Sequence, residues 1–263
     1  MRKKTIVNSI VVILTFLLAI NAKRLIFDYY SISITSDYLK VINTYLWWLI
    51  PPLIVLAVLY GFNKIPNLVG LNKGLLFGFI FSVITVSPML ISSAVIGKIS
   101  ADFNLFDIIH KTVLAGFMEE FLFRGFLFGI LFRKLGWGFI PASILGGVLF
   151  GIGHLYQGST FTETIGVFLV TSIGAIWFSW LYIEWKNNLW VPIFLHILMN
   201  LSWVLFKVSD NALGGSYTNI FRILTIALTI FITIRYNKKN GLKINRMNLL
   251  VNKKGEENST NNN

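Results

Sequence analysis

GLLFGFIFSVITVSPMLISSAVIG, residues 74–97, contains no charged side chain and lies between Lys73 and Lys98. Wound as a helix at 1.5 Å per residue, this run reaches about 36 Å. That is enough to cross a hydrocarbon core roughly 30 Å thick. Similar apolar runs occur at 6–22, 45–62, 108–132, 138–157, 162–183, 189–206 and 219–236. The pattern predicts an all-α, polytopic bundle of about eight transmembrane helices. Composition agrees: 55% of the 263 residues are hydrophobic, 13% are charged, and the mean hydropathy is +0.71. A soluble domain carries about 25% charged residues, so most of this surface is expected to face lipid.

The chain has no cysteine, which excludes disulfides, thiolate catalysis and cysteine-bound metal. Its net charge of +12 sits in loops and in the C-terminal tail, where anionic headgroups account for it. No nucleic-acid partner is expected. The first run follows Met1-Arg2-Lys3-Lys4 and imitates a signal peptide, but Ile20 stands where cleavage wants a small residue. An uncleaved first helix is therefore expected. With the N-terminus inside, Arg2, Lys3, Lys4, Lys64, Lys73, Arg133, Lys134, Lys186 and seven tail cations fall on the cytoplasmic side. Lys23, Arg24, Lys40, Lys98 and Lys207 fall outside. The positive-inside rule then places both termini in the cytoplasm of a cell-membrane protein. Residues 1–236 read as the membrane domain, and 237–263 as a polar, basic, disordered cytoplasmic tail.

Several features have structural readings. Trp47, Trp48, Trp137, Trp185 and Trp190 lie near span ends, as in an aromatic belt. Gly74/Gly78, Gly125/Gly129 and Gly147/Gly151 are small-residue pairs suited to close helix approach. Thr160 and Glu163 form a capping-box pattern.

The ionisable groups inside the spans are different, because a charge near the bilayer centre costs at least ~2.5–3.5 kcal/mol. The fourth run carries Glu119, Glu120 and Arg124, the fifth carries His154, and the seventh carries His196 and Asn200. Adjacent helical residues point about 100° apart, so Glu119 and Glu120 are expected to face different ways. Glu120 and Arg124 stand at i,i+4 with the acid first, the orientation favoured for a pair. Glu119 is left without a local cation, which suits a general base. His196 and Asn200 share one helix face, and Pro192 is expected to loosen that helix. Such a set also fits a proton-coupled transporter, although no internal repeat supports that reading.

These segments resemble the CPBP family of intramembrane proteases, which includes the CAAX prenyl endopeptidases and bacterial relatives in bacteriocin immunity and peptide processing. The ordered motifs Glu-Glu-x-x-x-Arg, Phe-x-x-x-His and His-x-x-x-Asn are matched by Glu119, Glu120 and Arg124, by Phe150 and His154, and by His196 and Asn200. The motif-bearing core spans about 108–206. The resemblance implies an endopeptidase acting on a peptide or membrane-protein substrate among membrane lipids. It implies that Glu119 and His154 activate water, that His196 and Asn200 stabilise the oxyanion, and that Glu120, Arg124 and Phe150 support the site. A glutamic mechanism without a cofactor is expected. The alternatives are a zinc site of His154, His196 and Glu119, and a non-catalytic immunity or scaffold protein. The topology read from charge sets the site in the outer half of the bilayer, opening externally, whereas the resemblance implies substrates at the cytosolic leaflet.

Overall fold

The computed structural model describes residues 3–23, 25, 34–97, 99, 104–208, 211–239 and 241–253. Arg2, Arg24, Lys98 and residues 254–263, all assigned a side of the membrane or a tail role from the sequence, lie outside the described residues. Among the described residues the secondary structure is helical apart from one isolated bridge, Trp137 to Val251. The helices are α1 Lys3–Lys23, α2 Asp37–Tyr60, the short α3 Ile65–Val69, α4 Leu75–Ile96, α5 at 105–134, α6 Phe139–Gly153, α7 Phe161–Glu184, α8 Trp190–Phe206 and α9 Ser216–Asn237.

Six of the expected spans are helices long and apolar enough to cross a membrane. The other two carry motifs. Helix α8 is a regular helix of 17 residues, whereas α6 reaches 19 residues by running on through a turn to Gln157. Helix α5 contains two π-type segments, Ile109–Leu114 and Phe121–Phe128, on either side of Ala115–Glu120. In them the ladder slips to i−5, as in Ala115 N–H to His110 O and Gly129 N–H to Arg124 O. Wide turns of this kind are frequent at functional sites.

The bundle is built for lipid. Its centre is α5, where residues 121–132 are all buried. Phe123 packs edge-on against Phe16 of α1 and Phe150 of α6. The outer faces are apolar instead: Val58, Ile91, Val95, Ile173 and Phe231 are all well exposed. The described protein is thus a multi-pass helical membrane bundle. A Cβ on Gly78 would stand 2.8 Å from the Trp190 backbone, so this glycine permits the close crossing of α4 and α8. Thr225, Thr229 and Thr233 form a fully buried stripe on α9, and Thr233 Oγ1 accepts from Trp185 Nε1.

Successive membrane-level helices alternate in direction, and the two ends of the bundle differ. At one end Arg133 donates to Leu68 O and to Tyr182 Oη. There Asn188 donates to Gly74 O, Trp137 to Ser9 Oγ, and Trp190 to Leu71 O. This end holds the beginning of α1 and the end of α9, and with them Lys64, Lys73, Arg133, Lys134 and Lys186. At the opposite end Ala212 N–H donates to Gln157 Oε1.

Four expectations change. Helix α2 begins at Asp37 rather than near 45, because Asp37 and Lys40 form a polar, ion-paired first turn that hydropathy passes over. Pro192 does not loosen α8: it lies in the first turn of a helix starting at Trp190, where a missing N–H breaks no helical bond. Trp137, Trp185 and Trp190 bond to neighbouring segments through their indole N–H groups rather than serving only as a headgroup belt. The tail, expected to be disordered from 237, is held against the bundle over 243–252. Fully buried Glu184 accepts from Asn237 Nδ2 and from the backbone N–H groups of Lys243 and Ile244. Asn252 Nδ2 reaches Phe132 O, and Leu250 O accepts from Gly138 N–H. A buried carboxylate needs several donors, and here backbone amides of the tail supply two of them. The Thr160 cap is as read, with Glu163 N–H donating to Thr160 Oγ1; the carboxylate bonds back to Ser159 N–H.

Candidate active site

The three motifs reach one place. Glu119 and Glu120 end the regular stretch of α5 between its two wide segments, and Arg124 follows within the second. His154 caps the C-terminus of α6, and His196 and Asn200 project from the middle of α8. Glu119, Arg124, Phe150, His154, His196 and Asn200 all line one cavity of about 1330 Å³. Glu120 does not line it; the carboxylate is fully buried behind.

Glu120 is the hub of the supporting contacts. Its Oε1 accepts from Arg124 Nη1 at 3.0 Å and from His196 Nδ1 at 2.7 Å. The Arg124 guanidinium in turn lies over the Phe150 ring at 4.7 Å and near the Phe178 ring at 5.4 Å. The i,i+4 pair read from sequence is therefore present. It is extended by a histidine 76 residues along the chain.

His196 stands between both acids. Its Nδ1 faces Glu120, and its Nε2 lies 3.7 Å from Glu119 Oε2. The expectation that adjacent glutamates must serve different surroundings holds only in part. They diverge on the helix, yet one imidazole spans the gap and meets each with a different nitrogen. Glu119 Oε2 is buried and has no hydrogen-bond partner. An orphaned buried acceptor in a polar cavity calls for a donor from water or substrate.

His154 is set differently. Its Nδ1 lies 2.8 Å from the Phe150 carbonyl, which can only accept, so Nδ1 carries the proton. Nε2 is left with its lone pair. The ring lies against the Phe150 ring at 4.4 Å, which fixes its plane. Asn200 donates Nδ2 to Lys111 O at 2.9 Å. That carbonyl lies in the first wide segment of α5, where regular i,i+4 bonding is interrupted. One Asn200 N–H is thus engaged, and the amide has a second.

No three histidine or carboxylate side chains among the described residues converge as a metal site. In particular, His196 already turns both nitrogens towards glutamates.

The cavity also has walls that sequence reading passed over. Tyr45 enters from α2, with His110 edge-on to it at 5.9 Å. Trp203 and Arg222 line its far side. Trp203 was legible in principle, three residues after Asn200 and hence on the same face of α8. Nothing local marks Tyr45, because its role depends on where α2 packs.

Residues 101–202 match the Rce1-like family, described as type II CAAX prenyl endopeptidase Rce1-like. The chain is also 33% identical over 101 residues to a Bacillus subtilis (strain 168) protein named "Putative membrane peptidase YdiL". That match covers 38% of this chain and 37% of the relative. The matched family segment contains all three motifs, from Glu119 to Asn200, and agrees with the resemblance read from them.

Proposed function

We propose that the chain is an intramembrane endopeptidase that hydrolyses a peptide bond of a membrane-associated peptide or protein. The observation that carries this reading is the unpartnered Oε2 of Glu119, buried in a cavity shared with the His154 ring. A water placed between them would donate one hydrogen to Glu119 and one to His154 Nε2. Its oxygen would attack the scissile carbonyl carbon while Glu119 takes the proton. Breaking the C–N bond then needs that proton on the leaving amine, and Glu119 can return it. His196 as imidazolium, with Nε2–H available, and the second N–H of Asn200 would stabilise the tetrahedral oxyanion. Glu120 and Arg124 hold His196 in place. The residue roles and metal-free chemistry are part of this proposal.

The test is purified protein in detergent, presented with a peptide library. Glu119→Gln keeps the volume and removes the base, and should lower cleavage by about 10²–10⁴-fold with an unchanged melting temperature. Wild-type cleavage rates in the Glu119→Gln variant would end the mechanism. A zinc chelator should leave wild-type activity intact, and loss restored by stoichiometric zinc would bring back the metal reading.

The charge asymmetry supports a cytoplasmic location for the basic end and both termini. The cavity is lined by Asn104, Gln157, Asn211 and Ala212, which belong to the other end, so it would open externally. Gly158 is a poor labelling site, since a Cβ there collides with the Thr164 backbone. Tyr156 is 81% exposed and lines the cavity. Tyr156→Cys, in a chain without cysteine, should react with an impermeant thiol reagent on intact cells. Labelling only after lysis would reverse the orientation.

A further inference from the structure

Arg222 is the second arginine lining the cavity, and its circumstances differ from those of Arg124. It sits six residues into α9, about 9 Å below the helix start. Its guanidinium reaches back to the loop that precedes the helix, and the residue is nevertheless only 9% exposed. Among the described residues no carboxylate pairs with it. A buried charge that no described carboxylate answers is costly.

The surroundings are built around the guanidinium. Nη1 donates to Ala212 O at 2.9 Å and Nη2 to Leu213 O at 3.1 Å. The Trp203 ring lies 4.8 Å from the guanidinium carbon. Gly214, in the left-handed region at φ +71°, runs so close that a Cβ there would stand 2.7 Å from Nη2. Two carbonyls therefore hold the fork, an aromatic face supports it and a glycine makes room. Even so, Nε–H is buried without a hydrogen-bond partner. A guanidinium has five N–H donors, and two are used among the described residues. Capping two carbonyls needs only a neutral donor and does not account for a buried full charge.

The position relative to the candidate active site is set by α8. Trp203 follows Asn200 by three residues and His196 by seven, so all three share a helix face. Arg222, on Trp203, is thus about 10 Å along the helix from His196, inside the same cavity. Lys111, another cavity cation, is already paired with Asp107.

We propose that Arg222 is a substrate-anchoring residue that binds a carboxylate of the peptide through its unused N–H donors. This rests on the proteolytic reading for its meaning but not for its detection. The carboxylate is either the C-terminus of the peptide or an aspartate or glutamate side chain. Arginine is suited to either, since its planar fork matches a carboxylate.

The test measures binding. Fluorescein-labelled apolar octapeptide pools are made in three forms: C-terminal acid, C-terminal amide, and amide with one internal aspartate. Each is titrated against wild-type protein, Arg222→Lys and Arg222→Gln in neutral detergent. Wild type should bind one of the charged forms at least tenfold more tightly than the amide, and the form preferred names the source of the carboxylate. Arg222→Lys should keep part of the preference and Arg222→Gln none. Equal binding of the three forms by wild type overturns the proposal, and does so without any variant needing to fold. A preference that survives in Arg222→Gln also overturns it. If phosphatidylglycerol binds wild type in an Arg222-dependent way while the three peptides bind alike, the site is a lipid site and the proposal is wrong. Cleavage of the same pools is scored separately against Glu119→Gln. Carboxylate preference without cleavage removes the proteolytic reading and leaves the subsite standing.

Discussion

Arg124 and Arg222 are both buried, both stacked on aromatic rings and both face the same cavity, yet the bundle treats them in opposite ways. Arg124 pairs with Glu120 at 3.0 Å, with Phe150 and Phe178 around it and His196 bound to the same carboxylate oxygen. Its charge is answered within the protein. Arg222 is held by two backbone carbonyls and one indole, and its charge is not answered by any described carboxylate. A paired arginine beside the motif histidine stiffens the site, whereas an unpaired one is an opening for an anion. The distinction is between a charge that builds the cavity and a charge that the cavity presents.

The largest effect that separates them is on stability. Arg124→Ala strands Glu120, a fully buried carboxylate, with only His196 for support. Breaking a buried pair by removing one partner costs about 3–5 kcal/mol. The variant should therefore be scarce in the membrane and show a markedly lower melting temperature in detergent. A normally abundant variant with an unshifted melting temperature would move Arg124 from support to chemistry and undo the contrast.

A smaller loss is expected for Arg222→Gln. Two hydrogen bonds from a charged donor to carbonyls are weakened, and no described carboxylate is stranded, so the cost is about 1–3 kcal/mol. Its melting shift should be less than that of Arg124→Ala under the same conditions. Equal shifts would mean that Arg222 is as structural as Arg124.

Glu184 sharpens the rule from the acidic side, with the smallest effect. It too is fully buried and makes no ion pair among the described residues. It differs from Arg222 in that backbone amides of Lys243 and Ile244 and the Asn237 side chain satisfy it. Glu184→Gln keeps the shape and loses charge assistance, which should cost about 1 kcal/mol. The readout is local: limited proteolysis should cut within 241–253 faster than in wild type while the bundle stays folded. An unchanged cleavage rate would show that the tail is held by its other contacts, such as Asn252 to Phe132 O.

The amino-acid sequence by itself determined the membrane bundle, because apolar length and the scarcity of charge are properties of composition and need no tertiary information. It also determined the Glu120–Arg124 pair, since i,i+4 spacing puts the two side chains together on any helix. The three motifs located the walls of the cavity, at Glu119, His154, His196 and Asn200. Only tertiary structure decided that His196 bridges both glutamates, because that contact joins residues 76 apart whose meeting depends on how α5 and α8 cross. Tertiary structure likewise set the wide segments of α5, whose lost i,i+4 bonding leaves Lys111 O for Asn200. The docking of the tail was hidden for the same reason. A polar, lysine-rich stretch reads as solvated until Glu184, some 60 residues earlier, is seen to need its backbone N–H groups. Arg222 was visible as a charge in an apolar run, but whether that charge had a partner could be decided only in space, where Trp203 and the 212–214 backbone close around it.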